Sequence, residues 1–223
     1  MCFLVLLLAL LSPSTPPPAG TLSGRVLLIK NGAPVSDASN VVVWLDRAHR
    51  SADGGVRASM KSEKKRFTPR VVVVSRQGAV DFPNVDPIYH NVFSVSGGNR
   101  FDLGLYRAGA SQEKKFEEPG LVRVYCNIHP QMVGFVMVVD SDFTAVTGAD
   151  GSFRFDGVPV GAQRLRVWHE EAGESIELPV SVRARAEAAA APRLDISGYR
   201  AQPHKNKYGK DYAPQAGSDD ERY

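Results

Sequence analysis

The sequence predicts an all-β protein built from packed sheets. Short runs rich in Val, Ile and Phe recur along most of the 223 residues and are separated by Gly, Pro, Asn and Asp. No segment of useful length keeps the 3.6-residue apolar period of an amphipathic helix. Strands of this kind bury their apolar faces by pairing into sheets that pack as sandwiches or barrels.

Composition and charge argue against a nucleic-acid-binding protein. Hydrophobic residues make up 43% of the chain and charged residues 23%, which is ordinary for a globular protein with a real core. The formal charge is only +3, the basic residues form no long stripe, and the sequence holds no aromatic RNA-reading motif. The basic run over 57–66 is interpreted as a solvated loop, or else as a docking patch for an acidic redox partner.

The N-terminus has features of an export signal. Residues 3–11 read FLVLLLALL, an apolar run that is too short to span a bilayer but suits the core of a secretory signal. Residues 12–20 are small and Pro-rich, which is typical of a cleavage region. The interpretation is a signal peptide over 1–20, a periplasmic or secreted mature protein and no transmembrane segment. The alternative is a buried N-terminal strand.

The two cysteines do not predict a disulfide. Cys2 belongs to the predicted signal, so Cys126 is the one cysteine that the mature chain would keep. A lone thiol in an exported protein is exposed to oxidation, which calls for an explanation. Metal ligation by Cys126 would provide one.

Two blocks of strands follow the predicted signal. Residues 24–46 predict a strand, a turn and a strand, and residues 47–66 a polar linker. Further strands of the first block are predicted over 70–75, 80–83, 90–95, 120–126 and 134–139. The second block contains the hairpin signal Ala-Asp-Gly at 149–151, and its strands continue to about residue 186. Residues 186–192 are interpreted as a short helix or a linker, and the polar residues beyond as a tail that is flexible or laid over the surface.

The chemistry is concentrated in the stretch VYCNIHPQM. Cys126, His129 and Met132 follow one another at intervals of three residues, after one predicted strand and before the next. A tight loop between two strands can turn such side chains toward one point. A fourth ligand must come from elsewhere, and His90 stands at the start of another predicted strand, in DPIYHNVFS.

The residue types favour one copper ion. Two imidazoles, one thiolate and a weak thioether are the ligand set of blue-copper electron-transfer sites. Zinc accepts Cys and His, but Met is not among its usual ligands. A complete set of protein ligands leaves no open position for a substrate, so the interpretation is one-electron transfer and not an enzyme. The alternatives are a buried Cys126 thiol without metal, a Cys–His nucleophilic pair, and Met132 as core filler.

The first block resembles the cupredoxins, especially the plastocyanin and amicyanin group. The resemblance is carried by GAVDFPNVDPIYHNVFS (78–94), by PGLVRVYCNIHPQM (119–132) and by FTPRVVVV (67–74). It implies a Greek-key β-sandwich with three equatorial ligands, His90, Cys126 and His129, and the axial ligand Met132. Asn91 would tie the two ligand-bearing segments together through its side chain.

The same resemblance implies how electrons leave the copper. In the cupredoxins the loop His is partly exposed through an apolar patch, which here corresponds to His129. The patch would be formed by Ile128, Pro130 and Val133, with Pro87 and Ile88 opposite.

The second block resembles the carboxypeptidase regulatory-like domain, a small transthyretin-like sandwich. The matching residues are TGADGSFRFDGVPVG and the Trp-ending strand that follows, and the missing opening of that domain matches 24–45. The hypothesis is therefore an insertion. Residues 22–52 and 142–190 form one sandwich, the cupredoxin domain occupies 53–141, and residues 191–223 are a flexible polar tail. In the alternative, strands 24–45 complete the cupredoxin.

These features together predict an exported type 1 copper protein that carries single electrons between redox partners, such as a cytochrome or a dehydrogenase. The alternative functions are a periplasmic copper carrier or chaperone, and an interaction module whose metal site is structural or empty. His49 and His204 lie in polar stretches and are expected to be solvated, and His169 to lie at the surface or between domains.

Overall fold

The computed structural model describes residues 18–49, 56–201 and 203–212. Strands form nearly all of the regular structure in these residues, so the all-β prediction is confirmed. The first strands are β1 (Ala19–Arg25), β2 (Leu27–Lys30), β3 (Ala33–Pro34) and β4 (Val42–Leu45). The middle strands begin with β5 (Ala58–Ser59), β6 (Lys61–Glu63), β7 (Arg66–Thr68), β8 (Val71–Ser75), β9 (Ala79–Pro83) and β10 (His90–Ser94). After a 3₁₀ turn (Gly97–Asn99) they continue with β11 (Phe101–Tyr106), β12 (Ser111–Lys115), β13 (Gly120–Tyr125) and β14 (Val133–Val139). The last strands are β15 (Thr144–Val146), β16 (Ser152–Pro159), β17 (Gly161–Trp168), β18 (Ile176–Val182), β19 (Glu187–Ala190) and β20 (Arg193–Asp195).

The middle strands form a sandwich of two main sheets. One sheet has the order β11-β10-β13-β14-β8, and the other has the order β12-β9-β5. Strand β14 is antiparallel to β13 and parallel to β8. Because side chains alternate along a strand, Val72 and Val74 of β8 enter the core between the two sheets. That core also contains Cys126 and Met132.

The first and last strands share sheets on the outside of this sandwich. Strand β1 pairs antiparallel with β16, with Leu22 opposite Phe155, and β4 lies between β15 and β17. Their apolar faces enclose a second core. The chain segments before and after the middle strands are therefore joined by backbone hydrogen bonds, as an insertion requires. The domain boundaries, and the likeness of the outer sheets to a carboxypeptidase regulatory-like domain, stay predictions.

A third apolar cluster connects the two cores. Val71 and Val73 point away from the inner core and pack with residues of β14 against Trp44 and Trp168. The ring centroids of Phe135 and Trp168 lie 5.6 Å apart. Strand β14, which begins directly after Met132, is thus buried on both faces, and this fixes one end of the candidate ligand loop.

Parts of three sequence predictions are corrected. The linker over 47–66 contains the strands β5, β6 and the start of β7, and residues 50–55 within it lie outside the described residues. The segment 186–192 is neither helix nor linker, because β19 pairs parallel with β1. The prediction of a flexible tail over 191–223 is wrong for its first residues. Strand β20 pairs with β2, and the side chains of Leu194 and Ile196 are buried.

The chain termini lie largely outside the described residues. Residues 1–17 of the predicted signal and residues 213–223 of the predicted tail belong to this part. The last two residues of the predicted signal are already part of β1, so the folded chain begins at residue 19 or earlier. Among the residues described, no helix has the length and apolar character needed to cross a bilayer.

Candidate metal centre

The loop between β13 and β14, residues 126–132, is called the ligand loop. Its ends are held together because Tyr125 pairs with Val133 in the antiparallel ladder. Inside it, the N–H of Cys126 donates to the carbonyl of Met132 at 3.3 Å, and the N–H of Met132 donates to the carbonyl of His129 at 3.0 Å. This closed turn brings the three predicted ligands of the loop to one end of the sandwich.

His90, the first residue of β10, completes the arrangement. The Sγ atom of Cys126 lies 3.9 Å from Nδ1 of His90 and 3.6 Å from Nδ1 of His129. The ligand atoms of all three residues lie within 4.8 Å of one another. Among the described residues, this is the one group of three or more His, Cys, Asp or Glu side chains that come so close.

These separations fit a shared metal ion. Nitrogen and sulfur ligands bind a first-row metal such as zinc at about 2.0–2.3 Å, so a nitrogen and a sulfur on one ion lie within about 4.4 Å. Both distances from the Cys126 sulfur meet this limit.

Met132 supplies a soft fourth donor beside this group. Its side chain is fully buried in the same apolar cluster as Cys126. The four residues His90, Cys126, His129 and Met132 are together called the ligand cluster. They combine two imidazoles, a thiol and a thioether, and all but His129 are fully buried. This donor set suits copper.

His90 is oriented by a carboxylate that the sequence reasoning missed. Its Nε2 atom lies 2.7 Å from Oδ2 of Asp86, and both side chains are buried. Asp86 also accepts hydrogen bonds from the backbone N–H groups of Lys64 at 2.5 Å and Lys65 at 2.9 Å. With a proton on Nε2 facing Asp86, the lone pair of Nδ1 is free to face Cys126. The one signal in the sequence was an acidic residue four positions before His90.

The charge of Asp86 is stabilised in place. Burial raises the pKa of Asp86, but the backbone N–H groups of Lys65 and Lys64 and the contact with His90 outweigh it, so the pKa lies below its usual value. A charged carboxylate thus stands behind His90.

The electrostatics of the ligand loop favour metal binding by neutral imidazole. Burial, assisted by the neighbouring His90, lowers the pKa of His129 to about 4, so that its ring is neutral at pH 7. Burial raises the pKa of the Cys126 thiol, while the backbone N–H groups of Asn91, Ile128 and His129 oppose that rise by favouring the thiolate. A metal cation at this point would stabilise the thiolate much further.

Asn91 does not make the predicted tie between the two ligand-bearing segments. Its side-chain N–H₂ donates to Oδ1 of Asp102 at 2.7 Å and to the carbonyl of Gly104 at 2.8 Å, both on β11. The antiparallel pairing of β10 with β11 brings these acceptors within reach of the amide. The backbone N–H of Asn91, not its side chain, interacts with Cys126.

The ligand loop also has C-terminal neighbours that sequence reasoning missed. His204, which was expected to be solvated, is half-buried, and its Nε2 lies 2.7 Å from the carbonyl oxygen of Pro130. The hydroxyl of Tyr212 donates to the carbonyl of Cys126 at 2.8 Å. Their polar surroundings in the sequence gave no signal of these contacts.

The surface around the ligand cluster is apolar in part. His90, Cys126 and Met132 are inaccessible to solvent, whereas His129 is half-buried and follows Ile128, which is 43% exposed. Of the predicted patch, Pro87 is exposed and Ile88, Pro130 and Val133 are half-buried. Val85 and Tyr89, the chain neighbours of Asp86 and His90, are exposed at 54% and 55% and were not predicted.

Comparison with known proteins identifies similar solved structures only. No family model and no curated protein matches the chain. A purple cupredoxin from Nitrosopumilus maritimus is 25% identical and covers 36% of this chain and 98% of its own, with a TM-score of 0.33. A reduced Cu(I) variant of amicyanin is 24% identical, and the match covers 39% of this chain and 84% of the amicyanin chain, with a TM-score of 0.35. The copper-containing nitrite reductase NirK from Thermus scotoductus is 19% identical, and the match covers 52% of this chain and 28% of the NirK chain, with a TM-score of 0.36.

Proposed function

We propose that the chain is an electron-transfer protein that carries one type 1 copper ion in the ligand cluster. The observation that supports this best is the convergence of the ligand atoms of His90, Cys126 and His129 within 4.8 Å, beside the buried thioether of Met132. Two imidazoles, a thiolate and a weak axial thioether form the donor set of blue-copper sites. The copper would supply the one-electron couple.

The setting of the ligand cluster supports electron transfer rather than catalysis. All four donors come from the protein, and three of them are inaccessible to solvent, so no position is left for a substrate. The loop is closed by internal hydrogen bonds and flanked by paired strands, which limits its movement when the oxidation state changes. A site that moves little exchanges electrons at little reorganisation cost.

The route for the electron is the edge of His129. This imidazole is the one member of the ligand cluster that reaches the surface, and the neighbouring Ile128 adds exposed apolar area beside it. An apolar surface allows brief contact with a second redox protein, such as a cytochrome or a dehydrogenase. The export signal interpreted over 1–20 would place this exchange in the periplasm or outside the cell.

The proposal is tested by the visible spectrum of the purified chain after addition of Cu(II). An intense thiolate-to-copper charge-transfer band is expected, together with a reversible one-electron wave at an electrode. The variant Cys126→Ser should lose the band, and the control His49→Asn should keep it, because His49 lies at the surface beside Asp140 and outside the ligand cluster. A colourless or weakly absorbing wild-type protein would contradict the proposal.

Copper exchange with a chelator separates the proposed function from a copper carrier. An electron-transfer site should retain its ion through many redox cycles, because the donors are buried and the loop is closed. Rapid, complete loss of copper to a chelator, without a reversible wave, would favour the carrier.

A further inference from the structure

The C-terminal segment 203–212 lies along the ligand loop and contacts it at three points. Tyr212 reaches the carbonyl of Cys126, His204 reaches the carbonyl of Pro130, and Lys207 reaches the side chain of Asn127. Residues 126, 127 and 130 are all part of the ligand loop. The segment is more than seventy residues away in sequence, so these contacts arise from the tertiary fold alone.

Tyr212 acts on the ligand residue itself. Its hydroxyl donates to the backbone oxygen of Cys126 at 2.8 Å. The ring of Tyr212 stands edge-on to that of His204, with the centroids 5.2 Å apart. The two side chains therefore support each other.

His204 spans the other side of the loop. Its Nε2 lies 2.7 Å from the carbonyl oxygen of Pro130, which follows His129 directly. Its ring stacks on Tyr125, the residue before Cys126, with the centroids 4.1 Å apart and an angle of 24° between the planes. The side chain of His204 thus contacts the residues on either side of the segment 126–129, which carries two of the predicted ligands.

Lys207 connects the ligand loop to the strand that carries His90. Its backbone N–H donates to Oδ1 of Asn127 at 3.0 Å, and its ammonium group lies 2.6 Å from Oδ2 of Asp102. The other oxygen of Asp102 accepts from Asn91, the neighbour of His90. The two ligand-bearing segments are therefore linked through the C-terminal segment.

We propose that residues 203–212 form a clasp that holds the ligand loop in its metal-binding conformation, with Tyr212 and His204 as positioning residues. The clasp contacts two backbone carbonyls, the side chain of Asn127 and the ring of Tyr125, and none of these is a metal-donor atom. It therefore acts through the geometry of the ligand loop. Its role in copper binding rests on the proposed function. When copper is bound, the clasp slows the opening of the loop through which the ion would leave.

The full-length variant Tyr212→Phe tests the clasp, because it removes the hydroxyl and keeps the ring. With Cu(II) bound, transfer of copper to a chelator is expected to be about two- to tenfold faster, since one hydrogen bond contributes about 0.5–1.5 kcal/mol and 1.4 kcal/mol is a factor of ten. The charge-transfer band and the copper hyperfine splitting should shift as well. Tyr199→Phe is the matched control, because Tyr199 lies outside the clasp and is 40% exposed.

The variants of His204 test the second positioning residue. His204→Ala removes both the contact with Pro130 and the stack on Tyr125, so it should release copper faster and shift the spectrum. His204→Gln keeps a donor for the Pro130 carbonyl and should restore part of the wild-type release rate. A lower melting temperature with unchanged spectrum and unchanged release in Tyr212→Phe and His204→Ala would overturn the proposal in favour of a merely structural role.

A copper-free measurement separates the clasp from the proposed function. If wild-type protein forms no charge-transfer band, the proposed function fails, and the clasp is then tested by the rate at which iodoacetamide alkylates Cys126, located by peptide mass spectrometry. Opening of the loop is needed for this reaction because Cys126 is fully buried. Alkylation should be about two- to tenfold faster in Tyr212→Phe than in Tyr199→Phe. Equal rates would overturn the clasp.

Discussion

The carboxylate of Asp86 lies 2.7 Å from Nε2 of His90, while Nδ1 of the same ring faces the sulfur of Cys126. The carboxylate is itself held by the backbone N–H groups of Lys64 and Lys65, in the turn between β6 and β7. One buried acid therefore determines both the tautomer and the direction of the imidazole. Partners of this kind commonly raise the basicity of a metal-binding histidine.

Replacing Asp86 by Asn should weaken copper binding by about 10- to 100-fold, as loss of such a partner typically does. The substitution keeps the size of the side chain but removes the negative charge behind His90. Because that charge favours Cu(II) over Cu(I), the reduction potential should rise. Chelator competition and voltammetry measure the two effects. Asp195→Asn on β20 is the control, and equal copper affinity in both variants would show that Asp86 does not orient His90.

Replacing Met132 by Leu should raise the reduction potential and leave the charge-transfer band in place. Leu has a similar volume, so the buried cluster should stay packed. It lacks the sulfur that donates weakly to the oxidised ion, and the axial donor tunes the potential of such sites. Met137→Leu is the matched control, because Met137 is also buried but packs in the cluster between the two cores. Identical potentials for wild type and Met132→Leu would mean that Met132 is core filler.

The ligand cluster could be predicted from sequence because its information is local. Cys126, His129 and Met132 lie within seven residues, and the flanking strands show an alternation that predicts a loop between them. The contacts that orient the ligands could not be predicted in this way. Tyr212 and His204 contact backbone carbonyls. Every residue has a backbone carbonyl, so the sequence does not show which one a distant side chain will bind.

The strand β19 shows a second limit of sequence reasoning. Its segment is rich in Ala, the best helix former, and carries no strand-like run of β-branched residues. It becomes a strand because its parallel pairing with β1 places Gly24 against the backbone of Ala190. Small side chains permit that close approach, so tertiary packing overrides local propensity.

A side chain at Gly24 should destabilise the outer sheets. A Cβ atom there would overlap the carbonyl oxygen of Ala190 and lie 2.6 Å from the ring of Phe153, so both β19 and Phe153 must move. Gly24→Ala is expected to lower the free energy of unfolding by about 1–3 kcal/mol, as overpacking does. Denaturant titration measures the change. Gly198→Ala is the control, since no atom lies within 4 Å of its added Cβ, and equal stabilities would refute the close approach.

Acid should destabilise the copper-free protein through His129. Its folded-state pKa of about 4 lies below the ordinary value of 6.5, because the ring is partly buried. Between these two values the unfolded chain takes up a proton at His129 that the folded protein does not. The contribution of His129 to the free energy of unfolding is therefore constant above pH 6.5 and decreases as the pH falls toward 4.

The melting temperature of the copper-free protein at pH 7 and at pH 4.5 measures this loss. In His129→Asn the fall between the two pH values should be smaller than in wild type, because Asn takes up no proton in the unfolded chain. His49→Asn is the matched control, since the His49 side chain is 51% exposed and lies at the surface between Asp140 and Asp142. A fall as large in His129→Asn as in His49→Asn would show that the folded-state pKa of His129 is not lowered.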